Sequence, residues 1–236
     1  MRKYFVTGSG RGIGKTLCEH ILASDPEAEV IGISRSNSIE AERYTFHQLD
    51  LNDSKAVEAF EFPNFDDEVF LVNNAGVIGT INSVGKLDNA SISKTIQVNL
   101  ASPMVLCNKF MSKYSQGGVI ANISTGAAFN PYESWAEYCS SKAGLEMFSQ
   151  VMRKEQSAGG QNGGFEILSI QPGVVDTGMQ SQLRNSSEDE FPMKSKFVQL
   201  HEGGDLLSTE EVAQALYKIL REPDSIEDWQ HRITRS

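Results

Sequence analysis

The sequence predicts an α/β fold in which a doubly wound parallel sheet is covered by helices on both faces, giving three layers. Short apolar runs such as VFLVNN at 69–74 alternate with longer amphipathic stretches such as KTLCEHILA at 15–23. Strands that are apolar on both faces belong to buried parallel sheets, and right-handed crossovers place helices on both sides. These observations predict a Rossmann-type fold, whose ligands bind at the carboxyl ends of the strands. With 236 residues, we expect a single domain over 1–236.

In the first half of the chain, short runs rich in β-branched and aromatic residues predict strands, and apolar residues three or four apart predict helices. The predicted strands are 3–7, 29–34, 44–51 and 69–76. The predicted helices are 15–23 and 53–60. The glycines between the first strand and the first helix predict a tight turn there.

The second half continues the same alternation. The predicted helices are 92–114 and 134–156, and the predicted strands are 119–124 and 165–173. The glycines at 159–164 predict a flexible turn from helix to strand. A last helix should begin at a capping box in which Ser208 and Glu211 bond each other's backbone.

Between residues 178 and 208 the alternation fails. This stretch is polar and long for a connection, and long loops of that kind often carry function. We therefore predict a flap over the substrate; a plain surface excursion is the alternative.

Composition restricts the class of protein. A formal net charge of -10 disfavours nucleic-acid binding, because the sequence contains no compensating basic stripe. No apolar run reaches eighteen residues and no leader pattern follows Met1, so we expect a cytoplasmic protein without a membrane span. Three cysteines and four histidines show no metal-ligand spacing, so no metal is expected.

The segment TGSGRGIG at 7–14 follows the first predicted strand and opens the first predicted helix. It fits the pattern TGxxxGxG rather than GxGxxG, but its physics is the same. Glycines permit a tight turn with positive φ, and they let backbone N–H groups approach a pyrophosphate at the start of a helix. A glycine loop in this strand and helix context predicts dinucleotide binding.

Five motifs together point to a known family. They are TGSGRGIG at 7–14, NNAG at 73–76, QVNL at 97–100, YCSSK at 138–142 and PGVVDT at 172–177. In this order and spacing, over nearly the whole chain, the sequence resembles the short-chain dehydrogenase/reductase family. The stretches ISTGAAFNPYESWAEYCSSK and PGVVDTGMQ are most similar to the branch of the sepiapterin reductases and the benzil (1,2-diketone) reductases.

The resemblance implies a set of catalytic residues. Tyr138 would pass a proton to the substrate oxygen as a general acid, and Lys142 would lower its pKa and bind the nicotinamide ribose. The chemistry agrees, because a phenol with a pKa near 10 exchanges its proton poorly unless a positive charge stabilises the phenolate. Asn99 would hold a water that links Lys142 to solvent, or would be a buried amide that satisfies a helix distortion. Thr125 would orient the substrate carbonyl.

Thr125 stands where the family usually has a serine. A threonine hydroxyl has the same donor and acceptor capacity, so we expect retained chemistry. Its neighbour Ser124 would take the role only if the strand ended one residue earlier, because adjacent side chains on a strand point to opposite faces. This period favours Thr125.

The dinucleotide is chosen at the end of the second strand, where a carboxylate would bond a ribose 2′-hydroxyl and repel a 2′-phosphate. This chain has Ser34 and Arg35 there, and no acid before Glu40. Arg11 in the glycine loop adds a second guanidinium that could bind a phosphate. We therefore expect NADP(H) rather than NAD(H).

The resemblance implies further cofactor contacts at the strand ends. The full set is Gly8, Ser9, Arg11, Gly12, Ile13, Gly14, Ser34, Arg35, Asp50, Leu51, Asn74, Ala75, Gly76, Tyr138, Lys142, Pro172, Gly173, Val175 and Thr177. Among these, Asp50 would contact the adenine and Thr177 the nicotinamide carboxamide. The plainer interpretation of Thr177 is a helix cap.

On the substrate side we expect contacts from Trp135, Met104 and Met179, beside Thr125. Phe129, Tyr132 and Gln180 lie near the same motifs, and the group would form an apolar wall for aromatic or bulky ketones, or would be ordinary core. The C-terminal stretch IEDWQHRITRS lacks the carboxylate expected near the end of the sepiapterin reductases, where it anchors the pterin. This favours a diketone or another carbonyl compound.

The predicted function is thus NADPH-dependent reduction of a small-molecule carbonyl, a diketone or an aromatic or bulky ketone, to an alcohol. A sepiapterin or related pterin reductase is the closest alternative. A non-catalytic NADP-sensing protein on the same fold is the alternative from another class, because fold alone does not determine function. A monomer or a homodimer is expected.

Overall fold

The computed structural model describes residues 1–157, 164–226 and 228–235. Within these ranges the chain forms a parallel sheet of seven strands in the order β3-β2-β1-β4-β5-β6-β7. The strands are β1 (Arg2–Thr7), β2 (Ala28–Ser34), β3 (Tyr44–Gln48), β4 (Glu68–Asn73), β5 (Gly118–Ile123), β6 (Phe165–Gln171) and β7 (Gln230–Arg232). The chain moves outward from β1 to β3 and then returns to the other side at β4. The predicted doubly wound fold is confirmed.

Helices cover both faces of this sheet. They are α1 (Gly12–Ser24), α2 (Ser54–Ala59), α3 (Asn89–Ile96), α4 (Ser102–Lys113), α5 (Ala136–Ser157), α6 (Gly178–Arg184), α7 (Lys194–Glu202) and α8 (Thr209–Arg221). The capping box of α8 is formed as predicted between Ser208 and Glu211. None of the helices in the described part of the chain is both long and apolar enough to cross a membrane.

Alternating side chains of β1 feed two cores. Tyr4 and Val6 pack with Leu17 of α1 and Leu216 of α8 on one face. Phe5 packs on the other face, in a core that includes the aromatic and aliphatic residues of α4. Successive strand residues point to opposite faces, so the near-continuous apolar strands of the sequence are explained by burial on both sides.

The structure differs from the predictions in the ends of three strands and in the segment 178–208. Strands predicted to reach 51, 76 and 173 end at Gln48, Asn73 and Gln171, because the residues beyond them turn out of the sheet into the loops of the site. The segment 178–208 contains α6 and α7, so it is not the irregular stretch its polarity indicated. The glycine turn at 159–164 lies almost entirely outside the described residues.

The seventh strand had no sequence signal. QHR at 230–232 is short and polar, and it becomes a strand because β6 offers it an open edge. The main-chain bond from Ile233 N to Gln171 O (2.8 Å) continues this pairing past its end.

Candidate active site

A cavity of about 570 Å³ opens at the carboxyl ends of the strands and runs from the glycine loop to α6 and α7. Among the described residues, five basic side chains and one acidic side chain, that of Asp50, line it. The basic residues are Arg11, Arg35, Lys94, Lys142 and Arg232. On a chain with net charge -10, this local excess of positive charge suits an anionic ligand.

The glycine loop has the backbone that phosphate binding requires. Gly8 and Gly12 have φ of 71° and 56°, where a side chain would be strained. A Cβ on Gly14 would lie 2.4 Å from Asn74 Nδ2, so the loop and the NNAG segment pack too closely for any other residue. Of the predicted loop contacts, Gly8, Arg11, Gly12 and Ile13 line the cavity. Helix α1 begins at Gly12 and directs its N-terminus toward this loop.

Ser9 and Gly14 do not line the cavity, contrary to prediction. Ser9 is fully buried beneath the loop, where its hydroxyl lies 3.4 Å from Ser34 Oγ and 3.3 Å from Tyr44 Oη. Ser9 and Gly14 thus support the loop from its buried side. A spacing motif cannot distinguish the residues that face a ligand from those that hold them.

Thr7 ties the NNAG segment to β1. Its hydroxyl accepts hydrogen bonds from the backbone N–H groups of Asn74 (3.0 Å) and Ala75 (3.1 Å) and donates to Val72 O (3.3 Å). Asn74 Nδ2 in turn donates to Thr7 O (3.0 Å). Asn74, Ala75 and Gly76 are thereby held along the middle of the cavity.

At the far end of the cavity the structure gathers the residues expected around the adenosine. Ser34, Arg35, Asp50 and Leu51 line it, with Arg11 opposite. Ser34 Oγ donates to Ser36 O (2.6 Å), which fixes the turn after β2. Both guanidinium groups are exposed, and within the described ranges neither forms an ion pair.

Tyr138 and Lys142 project from one face of α5 and are 8% and 4% exposed. Lys142 Nζ donates to Ile123 O (2.7 Å), at the end of β5. Burial lowers the pKa of Lys142 to about 8 and raises the pKa of Tyr138 to about 12. The neighbouring Thr125 hydroxyl opposes this rise in the pKa of Tyr138. Stabilisation of the phenolate by Lys142 stays a prediction, since its ammonium faces the Ile123 carbonyl.

Thr125 and Ser124 point in different directions, as the period of a strand requires. Thr125 lines the cavity next to Tyr138, and its hydroxyl also accepts a bond from Ala127 N (3.3 Å). Ser124 is 3% exposed and donates to Glu146 Oε2 (2.7 Å) on the buried side of α5. The Thr125 hydroxyl is therefore the one placed beside the phenol.

Asn99 lies in a π-helical turn, Gln97–Ala101, between α3 and α4. Its side chain is fully buried and bonds both Val77 backbone groups, N to Oδ1 and Nδ2 to O, at 2.8 Å each. Nδ2 also donates to Ser141 Oγ (3.0 Å). Asn99 does not line the cavity, and this geometry matches the buried amide of a helix distortion; its part in a proton relay stays a prediction.

The loop after β6 borders the cavity with Pro172, Gly173, Val175 and Thr177. Gly173 has φ of 80°, so the chain turns sharply at the strand end. Thr177 is the N-cap residue of α6, but its side chain makes no capping hydrogen bond. The hydroxyl is thus available to a ligand, and the interpretation of Thr177 as a side-chain helix cap is not supported.

Trp135 and Met179, predicted as substrate contacts, line the cavity together with Tyr132 and Gln180. We call the part of the cavity that these residues line its substrate half, and the part at the glycine loop its cofactor half. Trp135 stacks on Phe191 (centroids 5.4 Å apart) and meets the Tyr138 ring edge-on at 5.8 Å. The apolar lining residues that the sequence did not single out include Ile78, Leu183 and Phe197. The aromatic side chains of 191 and 197 explain why the polar 178–208 stretch folds into helices against the site.

The prediction for Met104 is wrong. It is 39% exposed on α4 and does not line the cavity, because Pro103, Leu106 and Cys107 take the buried face of that helix. Phe129 is likewise exposed and outside the cavity. Nearness in sequence to a motif did not predict nearness to the site.

Polar residues of the cavity that no motif marks include Ser36, Lys94 and Arg232. Among buried groups, Trp135 Nε1 and Gln180 Oε1 have no hydrogen-bond partner within the described residues. No group of three or more His, Cys, Asp or Glu side chains in the described ranges is arranged to hold a metal ion.

A glycine loop at the point where the strand order reverses defines a dinucleotide-binding α/β protein. The chain belongs to the short chain dehydrogenase family, whose model matches residues 2–188. It is 34% identical to a benzil reductase ((S)-benzoin forming) from Bacillus cereus over 93% of this chain and 94% of that relative. It is 27% identical to the sepiapterin reductase of Rattus norvegicus over 92% and 90%. A short chain dehydrogenases/reductase structure from Saccharomyces cerevisiae, 25% identical, superimposes with a TM-score of 0.83 over 98% of this chain and 95% of that one.

The family and the branch that holds benzil and sepiapterin reductases are confirmed. The chain is therefore an oxidoreductase of this family.

Proposed function

We propose that the chain is an NADPH-dependent carbonyl reductase that converts a diketone, or an aromatic or bulky ketone, to an alcohol. The observation that carries the proposal is the buried phenol of Tyr138 beside the Thr125 hydroxyl, in a cavity with an aromatic wall. The benzil reductases among the relatives, 33% and 34% identical over 93% of this chain, support the same reaction.

Each side chain of the site has its own role in the proposed reduction. A bound reduced nicotinamide would supply the hydride. The Thr125 hydroxyl donates to the substrate oxygen and holds it within reach of Tyr138, which gives up its proton as charge builds on that oxygen. Lys142 is protonated below a pKa of about 8, and its charge stabilises the phenolate that remains. Asn99 supports the return of the proton.

The cofactor fits the residues present. The glycine loop leaves room for a pyrophosphate at the start of α1, and the cavity is rich in positive charge. Arg11 and Arg35 would bind the 2′-phosphate of NADP(H), and no carboxylate stands between Ser34 and Glu40 to favour NAD(H). Lys142 would hold the nicotinamide ribose, and Thr177 the carboxamide.

Coenzyme preference is tested by replacing the guanidinium with the carboxylate that NAD enzymes use. We expect Arg35→Asp to weaken NADPH binding about 10- to 100-fold and to leave NADH binding unchanged or tighter. Lys154→Asp, at an exposed position of α5, is the control. Fluorescence titration with both coenzymes measures the ratio, and equal affinity of the unmodified protein for the two would contradict the assignment.

The reaction itself is tested by NADPH oxidation with benzil, sepiapterin and simple aldehydes. Reduction of benzil well above the others supports the proposal, whereas preference for sepiapterin supports the pterin alternative. NADPH binding without turnover of any carbonyl would support a non-catalytic NADP-sensing protein.

We also propose a surface on which two copies would meet, a cellular location and a mobile segment. The outer faces of α4 and α5 expose Met104, Met147 and Val151, which would suit a homodimer interface. We propose that the enzyme acts in the cytoplasm. The segment 178–208 acts as the flap, with α6 and α7 moving over the substrate.

A further inference from the structure

We propose that Arg232 binds a carboxylate on the substrate, so that the preferred carbonyl compounds are 2-oxo acids with an apolar or aromatic group. This inference rests on the proposed reductase function and specifies its substrate class. Four of the five basic residues that line the cavity have other positions: Arg11 and Arg35 at the adenosine end, Lys142 on α5, and Lys94 near the loop that carries Gly76. Arg232 is the basic residue at the opposite end.

Strand register places Arg232 close to the reacting group. Ile123 of β5 pairs with Ile170 of β6, which pairs with His231 of β7. Neighbouring strands lie about 4.8 Å apart, so the end of β7 is roughly 10 Å from the end of β5, where Thr125 follows. An extended arginine side chain covers more than half of that distance. A carboxylate next to a carbonyl bound at Thr125 is therefore within its range.

The surroundings of Arg232 leave its guanidinium for a ligand. It is exposed, it lines the cavity beside Gln171 and Asn130, and it has no ion pair within the described residues. The buried carboxylate nearest in the fold, that of Glu146, already accepts bonds from Ser124, Ser169 and Gln230.

The backbone under Arg232 is fixed, which distinguishes it from an ordinary surface arginine. Gln230, two residues earlier, is bonded to buried Glu146 (Nε2 to Oε1, 2.5 Å). Ile233, the next residue, is 5% exposed and donates its N–H to Gln171 O (2.8 Å). Because the main chain is already ordered, carboxylate binding would restrict only the side chain of Arg232, and a guanidinium can donate two parallel hydrogen bonds to a carboxylate.

The substrate half has both a polar and an aromatic lining. Its polar lining includes Gln171 and Arg232, which are paired across β6 and β7, and Asn130; its aromatic lining includes Trp135 and Phe197, which are in contact. A ligand with an aromatic ring and an anionic group on either side of its ketone would match both. The reaction would reduce the 2-oxo acid to the 2-hydroxy acid, with hydride from the coenzyme and the proton from Tyr138.

The experiment compares phenylglyoxylate with its methyl ester, which has the same skeleton without the charge. We expect the unmodified enzyme to prefer the acid, and Arg232→Gln to raise KM for the acid about 10- to 100-fold while KM for the ester changes less than twofold. Arg235→Gln, a nearby arginine that does not line the cavity, should leave the ratio unchanged. An acid-to-ester ratio that Arg232→Gln does not alter overturns the inference.

A binding measurement keeps this result separate from failure of the proposed reaction. Calorimetric titration of the NADP-loaded protein with mandelate, the charged alcohol, needs no turnover. Loss of mandelate affinity in Arg232→Gln supports the carboxylate site even if no carbonyl is reduced. Equal mandelate affinity in both proteins overturns it even if benzil is reduced rapidly.

Discussion

The two halves of the cavity are built in different ways. The cofactor half consists mainly of backbone at the ends of β1, β2 and β4, and each of its segments is contiguous in sequence. The substrate half consists mainly of side chains from the connection between β5 and α5, the start of α5, α6, α7 and β7, which the chain supplies from residues 125 to 232. A ligand common to a whole family can be held by main-chain geometry, whereas a variable substrate needs exchangeable side chains.

Loss of the phenol should give the largest effect, because Tyr138 stands where the two halves meet. We expect Tyr138→Phe to lower kcat about 10²- to 10⁴-fold, the usual contribution of a general acid, while NADPH affinity stays within a few-fold. Steady-state kinetics and coenzyme titration measure the two quantities. Tyr132→Phe, which removes a hydroxyl from the same cavity, is the control and should change kcat little. An intact reduction rate in Tyr138→Phe would refute the mechanism.

Thr125 and Ser124, which follow β5, should give the next largest effect. Their replacements should separate a loss of catalysis from a loss of stability. Thr125→Val should lower kcat/KM about 10- to 100-fold, because it removes a donor to the substrate oxygen. Ser124→Ala should leave turnover nearly unchanged but should cost about 1 kcal/mol in the free energy of unfolding, since Glu146 loses a donor. Kinetics and urea unfolding of both variants distinguish these outcomes, and the reverse pattern would reassign the role to Ser124.

Lys142 lies at the boundary of the halves, and its burial predicts a pH dependence of stability. Its pKa is lowered from 10.5 to about 8 in the folded chain, so between these values the unfolded chain holds a proton that the folded chain has released. The free energy of unfolding of the cofactor-free protein should therefore rise by about 2 kcal/mol from pH 7 to pH 10, relative to Lys142→Met. Tyr138, whose pKa is raised to about 12, acts in the opposite direction only above pH 10.

Urea unfolding of both proteins at several pH values measures this difference. The other titrating groups are common to both proteins and cancel. Parallel stability curves would mean that the Lys142 ammonium is not desolvated.

Two methionines give the smallest effect and mark the limit of the substrate half. Met179→Ala should raise KM for an aromatic ketone about three- to tenfold, as expected for lost apolar contact in a pocket. Met104→Ala should leave kcat and KM within twofold, because Met104 lies on the outer face of α4. If the two variants have equal effects, the described lining of the cavity is wrong.

Most of the residues that the sequence predicts as cofactor contacts line one cavity, for physical reasons. Positive φ at Gly8 and Gly12 and the close packing at Gly14 allow only glycine. The backbone geometry of the loop can therefore be inferred from the glycines in the sequence. The choice of Thr125 over Ser124 followed from the period of a strand. Ser9 was misassigned because a loop motif includes residues that face inward.

The substrate half was less predictable. Arg232 lies in β7, which forms by pairing with the edge of β6. The residues of β7 have no strand-like pattern of their own, so the sequence does not predict this pairing. Phe191 and Phe197 sit in a polar stretch whose helices depend on contact with Trp135. Met104 was misassigned because the face that a helical residue presents depends on the tertiary packing of its neighbours.

The inner face of α5 carries polar residues on successive turns, and three of them bond residues 122–124, at the end of β5 and just beyond it. Lys142 bonds the carbonyl of Ile123, Glu146 accepts from Ser124, and Ser149 accepts from Asn122 (2.8 Å). An oily interface would let this helix slide along the strand with small repacking, but here any axial shift would break all three bonds together. These bonds consequently fix the axial position of α5 relative to the sheet, and with it the position of Tyr138 near the N-terminus of the helix. The alignment of the phenol should therefore survive changes in the surrounding loops.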